Sequence, residues 1–340
     1  MAKGNKKSGN KLVVAIVVAA IAAVGIGVGA VAMNDSQIEL PVVAQAKTYE
    51  NPLTGQISEK KLPARPLQVS IDNVGDAIPQ SWLSKADIIY EFPVEGEQTR
   101  LQAIYYGQFP EEFGPIRSTR PYFVDLAREY KSVFLAHGWS PQAKRYLLSD
   151  VIPYINAMNS DCHFYRVDDK VAPHNSYIKW KEVKKKINQQ GWWDERKNLN
   201  KFEFLNGGQC NKGAEATNIK FEYGAIDFAF KYDPEENKYA RTVFGEKHVD
   251  HETDKQLTTY NVLVQKVKSR SLDSKGRLKI DMCAGGDAIL FTNGVAVKGT
   301  WSRENLDSFT VFVDKDGNQM KLTRGNTWVE VVDQNCDIDY

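Results

Sequence analysis

Leu12 to Met33 is an unbroken run of 22 residues without a charge, built largely of Val, Ile, Ala and Gly. At about 1.5 Å per residue, a helix of that length reaches roughly 33 Å, enough for the hydrocarbon core of a bilayer. Lys3, Lys6, Lys7 and Lys11 precede it, and no comparable basic cluster follows at once. The positive-inside bias therefore assigns 1–11 to a cytoplasmic basic tip and 12–33 to a single-pass transmembrane anchor, and puts the remainder outside the cytoplasm. A cleaved signal peptide is the competing expectation, because Ala30-Val31-Ala32 resembles a small-residue cleavage site. The run is, however, longer than the roughly 7–15 residues of a signal-peptide core. Gly25 and Gly29 form a GxxxG that carries little weight in so glycine- and alanine-rich a segment.

The chain has 340 residues, 42% hydrophobic and 26% charged. That composition excludes bulk disorder, collagen-like repeats and a multi-span membrane protein. Its length admits two folded domains of roughly 100–200 residues. A net charge of +1, from 44 basic and 43 acidic residues, gives no support for nucleic-acid binding. Without the lysines of the tip the exported part is slightly acidic, so adhesion to anionic lipid is not its main business.

The expected fold class is α+β: an anchor helix, a mixed α/β N-terminal domain and an all-β antiparallel C-terminal domain, either a sandwich or a partly open barrel. Residues 34–50 read as a polar tether. In 51–200, β-like runs at Leu67–Ile71, Asp87–Phe92, Leu101–Tyr106 and Ser132–Ala136 mix with three helices. One helix opens at Pro121, where a missing N–H costs little. A second runs from Ser140-Pro141 to about Leu148 with Ser140 as N-cap, and the third is Trp180–Gln190, basic on one face. Residues 201–218, rich in Asn, Gly and Lys, read as a linker. In 219–337 the helical period gives way to short strands, with Asn293-Gly294 and Asp314-Lys315-Asp316-Gly317 as hairpin turns. Cys162 and Cys210 fall in or near the first domain, and Cys283 and Cys336 fall in the second. Pairing within each domain and four free thiols both stay open.

Several short motifs occur in order: Asn51-Pro52-Leu53-Thr54-Gly55, Arg65-Pro66 with Ile71-Asp72-Asn73, Ala86-Asp87-Ile88-Ile89-Tyr90-Glu91, Gly114-Pro115-Ile116-Arg117-Ser118 with Arg120, Pro173-His174-Asn175, and Asn326-Thr327-Trp328-Val329. Together they resemble the YerB-like family of bacterial lipoprotein-like proteins, a domain of unknown function with N- and C-terminal parts. The resemblance covers about 51–335. It implies an extracytoplasmic, lipid-anchored body and no established reaction; here a membrane helix stands where the family carries its anchor cysteine.

Arg117 and Arg120 sit at the start of the helix that opens at Pro121. A helix N-terminus presents unpaired N–H groups, and two guanidinium groups added there suit a carboxylate or phosphate. The competing expectation is that they pair with Glu91, Glu95 or Asp125. His137, where a strand yields to a helix, and His174 and Asn175 in a loop tripeptide are candidate directional contacts beside Arg117, Arg120 and Asp125. Ser140 fails the nucleophile-elbow pattern, since Gln142 replaces its last glycine, and reads as a cap. His248-Val249-Asp250-His251-Glu252 reads as a surface loop rather than a metal cluster. Trp301 and Trp328 read as core, and Lys179–Lys186 as a solvated helix face. No metal, cofactor or nucleic-acid motif is evident, and the sequence does not give an oligomeric state.

The leading expectation is a membrane-tethered extracytoplasmic cell-envelope protein whose α/β domain binds an anionic envelope ligand or a partner protein. One alternative is a glycan hydrolase with Glu91 and Glu95 as acid and base. Another is a structural scaffold for an envelope complex.

Overall fold

Strands buried on both faces are specified where β-branched and aromatic residues run almost continuously, and such runs form the central sheet. The computed structural model describes residues 47–340 apart from 195, 196, 198, 200, 208, 224 and 225. The basic tip, the anchor run and most of the tether lie outside the described residues. Among the described residues no helix is long and apolar enough to cross a membrane.

The main sheet has eleven strands. From one edge to the other they run Ala214–Glu215, Val295–Ser302, Gly286–Thr292, Asn261–Val267, Thr327–Asp333, Ile88–Pro93, Thr99–Tyr105, Leu67–Asp72, Val133–Ala136 and Tyr154–Asn156, with Val311–Asp314 paired on Val295–Ser302. One sheet thus passes through both segments expected as domains, and residues 46–340 form one unit. The seam is the pairing of Thr327–Asp333 with Ile88–Pro93, parallel, with Glu330 opposite Glu91. The C-terminal part is not purely antiparallel as expected, because Asn261–Val267 also runs parallel to Thr327–Asp333. Parallel neighbours need a long crossover, and the hairpins of 268–326 supply it. Asn293-Gly294 makes the expected turn between Gly286–Thr292 and Val295–Ser302, both residues in the left-handed region at φ 53° and 75°.

Both faces of the sheet are covered. On one, Val69, Ile71, Leu101, Val262 and Trp328 pack against a second, six-stranded sheet that includes Asn218–Tyr223, Ile226–Asp233 and Lys238–Val243. This gives the C-terminal part its sandwich character. On the other, Ile88, Tyr90, Phe92, Leu263 and Val329 pack under helix α1 (Pro121–Glu129) through Tyr122, Phe123 and Leu126. The other α-helices among the described residues are α2 (Pro141–Leu147) and α3 (Trp180–Gln189). Pro occupies the first turn of α1, and the Ser140 hydroxyl caps α2 by accepting from the Ala143 N–H at 3.2 Å. Helix α3 buries Val183 and Ile187 and leaves Lys181, Lys184 and Lys185 exposed. Trp301 and Trp328 are buried, as expected.

Candidate functional site

Arg117 and Arg120 lie at the entry to α1 and line one open cleft of about 410 Å³. Arg100, at the start of its strand, lines it from below, and Lys275 and Arg277 reach it from the turn between Ser269–Ser271 and Leu278–Ile280. Trp139 contributes an aromatic wall, and Glu95 is the one carboxylate in the lining. Arg120 holds Glu95 through both carboxylate oxygens, at 2.8 and 2.7 Å. Burial works against the Glu95 charge, but the Arg120 hydrogen bonds and charge, with Arg100 behind them, bring its carboxyl below the usual range. Arg100 is only 5% exposed. Its Nη1 donates to the Ser118 carbonyl at 2.9 Å and to the Ser118 hydroxyl at 3.3 Å; that hydroxyl also accepts from Arg120 at 3.0 Å. Burial, then the Arg120 and Arg117 charges, pull the Arg100 guanidinium down to about 10, which leaves it protonated at neutral pH.

Behind this lining stands Asp72, fully buried. Its Oδ2 meets Arg117 Nε at 3.1 Å and His174 Nδ1 at 2.7 Å. Arg117 thus pairs with Asp72, which none of the expected partners anticipated, whereas the Arg120–Glu95 pair is one of the expected alternatives. His174 joins the site only through Asp72, and neither histidine lines the cleft. His137 Nδ1 faces the Ser176 hydroxyl at 2.6 Å, and its backbone N–H donates to the Arg117 carbonyl at 3.0 Å. Burial and the Arg166 and Arg117 charges keep its pKa below the usual histidine value.

Other candidates sit elsewhere. Asn175 accepts from Arg166 at 2.5 Å and donates to the Val167 and Lys170 carbonyls, so it organises its own loop. Asp125 accepts from the Tyr146 hydroxyl at 2.7 Å on a different part of α1 and touches neither arginine. Glu91 is not in a cleft. Its Oε1 accepts from Asn73 at 2.9 Å and Thr99 at 2.6 Å, and its Oε2 accepts from Arg241 at 2.7 Å. With Glu91 1% exposed and Glu95 on the rim, the two carboxyl groups do not face one opening, and the acid–base pair of a glycan hydrolase is not assembled.

His248 corrects another expectation: it is fully buried rather than on a surface loop. Its Nδ1 lies 2.6 Å from Arg241 Nη1 and its Nε2 lies 2.6 Å from Gln80 Oε1. Arg241 can only donate, so Nδ1 accepts, Nε2 carries the proton and the ring is neutral. Burial and the Arg241 charge hold its pKa well below the ordinary histidine value. His251 is partly exposed and meets Glu252 and Asp169. Among the described residues, no three His, Cys, Asp or Glu side chains are grouped to hold a metal ion. Cys162 and Cys283 are half-buried free thiols, Cys210 is an exposed one, and Cys336 is buried.

A mixed sheet shared by two sequence segments, with a basic cleft where α1 begins, defines a mostly β body in two parts. Those parts match the N- and C-terminal domains of the family described as protein of unknown function (DUF3048), over residues 53–193 and 217–329. The chain belongs to this family. It is 35% identical over 294 residues to the Bacillus subtilis (strain 168) protein named "Putative lipoprotein YerB", covering 84% of this chain and 87% of that one. The crystal structure of YerB from Bacillus subtilis superposes with a TM-score of 0.77 at 34% identity, covering 86% of this chain and all of the other.

Proposed function

We propose that this protein is an extracytoplasmic, membrane-associated component of the cell envelope that binds an anionic ligand in the cleft between Arg100, Arg117, Arg120 and the Lys275–Arg277 turn. The observation that carries this reading is Arg100, a buried guanidinium with no carboxylate in ion-pair contact among the described residues. Taking a cation out of water is costly unless an anion compensates it; the Asp72 charge offsets this only in part and makes its contact with Arg117, and the cleft leaves the direct contact with Arg100 to a ligand. The extracytoplasmic placement is supported by the lipoprotein name of the Bacillus subtilis relative and by the apolar run 12–33 with its preceding lysines.

The test is retention of the purified exported body on immobilised dextran sulfate at low ionic strength. The Arg117→Ala, Arg120→Ala double variant, checked for native melting, is expected to elute at clearly lower salt. A folded double variant retained like the parent removes the reading.

A further inference from the structure

Five cationic side chains line the cleft: Arg100, Arg117, Arg120, Lys275 and Arg277. Three carboxylates answer them, Asp72 to Arg117, Glu95 to Arg120 and Asp273 to Arg277. Arg100 and Lys275 take part in no ion pair among the described residues. The cleft therefore carries an excess of two positive charges. Arg100 Nε is buried with no acceptor, although Nη1 is fixed by Ser118.

Glu95 shows how an anion sits here. Its carboxylate fills the Arg120 fork with the paired geometry that guanidinium groups offer to carboxylates and phosphates. It projects from the short turn Glu95–Glu97, in which Gly96 has φ 71° and Glu97 φ 57°. A planar carboxylate saturates one such fork. A tetrahedral phosphoryl group has three terminal oxygens and can accept from several forks at once, and as a monoester dianion it matches the excess charge.

Building on the anion-binding reading above, we propose that the cleft takes a phosphate monoester, with Arg100 as the fixed anchor and Glu95 as an internal carboxylate that the ligand displaces from Arg120. The shared chemistry of any source is the phosphoryl group, whether on a soluble sugar or on a lipid headgroup.

The experiment is titration calorimetry of the exported body at low salt with inorganic phosphate, glucose 6-phosphate and succinate, beside sedimentation with phosphatidic acid vesicles. The phosphoryl compounds are expected to bind at least about 10-fold more tightly than succinate. Arg100→Met is expected to lose about 10–100-fold, the range for a hydrogen bond to a charged group. Lys275→Gln, at an exposed position that leaves folding intact, is expected to lose a few-fold. Glu95→Gln is expected to gain a few-fold, a direction that a merely structural Glu95 does not produce. Vesicle binding that is lost in Arg100→Met supports the phosphoryl assignment and names a headgroup as its source. Succinate binding as tightly as the phosphates overturns the phosphoryl assignment and leaves anion binding standing. Weakened binding in Glu95→Gln overturns displacement. No binding of any probe, together with unaltered dextran sulfate retention in the Arg117→Ala, Arg120→Ala variant, overturns both readings.

Discussion

Arg241→Met probes the seam between the two sequence segments. Arg241 is fully buried. It donates Nη2 to Glu91 at 2.7 Å and Nη1 to His248 at 2.6 Å, and its guanidinium lies 4.6 Å from the Trp328 ring centre, 5.2 Å from Phe228 and 5.8 Å from Phe230. Methionine keeps the stem and loses the charge, so Glu91 stays buried with only Asn73 and Thr99 as donors. Breaking a buried pair from one side costs about 3–5 kcal/mol. For about 290 folded residues at about 2.1 cal/mol/K each, the unfolding entropy near the midpoint is about 0.6 kcal/mol/K, so the midpoint drops by about 5–8 °C. Scanning calorimetry at neutral pH reads this directly. The double variant Arg241→Met, Glu91→Gln leaves no lone charge and is expected to recover most of the loss. A single-variant shift under about 2 °C, or a double variant no better than the single, refutes the reasoning that an uncompensated carboxylate sets the cost.

Two further outcomes follow from the same core and from two turns. Glu330 lies beside Glu91 on the neighbouring strand, and burial first, then the Glu91 charge, raise its pKa well above the ordinary carboxyl value. The folded state therefore holds a proton that the unfolded chain releases near pH 4.3. This contribution is full below that value and is lost as pH rises toward the raised folded pKa, at about 1.4 kcal/mol for each pH unit between the two. Glu330→Gln is expected to flatten that part of a midpoint-against-pH profile; an unchanged slope removes the assignment. Gly294 has φ 75°, and a Cβ there meets the Tyr232 ring at 2.7 Å, whereas a Cβ at Gly317, φ 81°, meets nothing within 4 Å. Both alanine variants bear the left-handed cost of about 1–2 kcal/mol, and Gly294→Ala is expected to melt lower than Gly317→Ala; equal midpoints count against the packing argument.

The local elements were legible because their causes are local. A proline in the first turn of α1, the Ser140 cap of α2, the apolar pair Val183 and Ile187 of α3 and the Asn293-Gly294 turn each act within a few residues. Two arginines at the start of α1 were likewise visible as a candidate charge site. The rest of the site was hidden because its partners are distant in the chain: Asp72 comes to Arg117 and His174, and the turn carrying Lys275 and Arg277 comes to Arg100, through tertiary packing. Arg100, beside Thr99 at the start of the strand Thr99–Tyr105, was the one local sign of it. His248 misled for the same reason, since polar neighbours suggest a loop until Arg241 and Gln80 close around the ring.

The sequence by itself determined the three helices, the longer strands and the Asn293-Gly294 turn, because periodicity, capping and left-handed turn residues act through nearest neighbours; the short strands Glu203–Phe204 and Ala214–Glu215 inside the expected linker escaped it. Only the tertiary structure decided that one sheet joins both segments and that Arg100 enters the cleft without an ion-pair partner among the described residues. Strand order and charge pairing bring together groups tens to hundreds of residues apart, and no local pattern records which of them will meet.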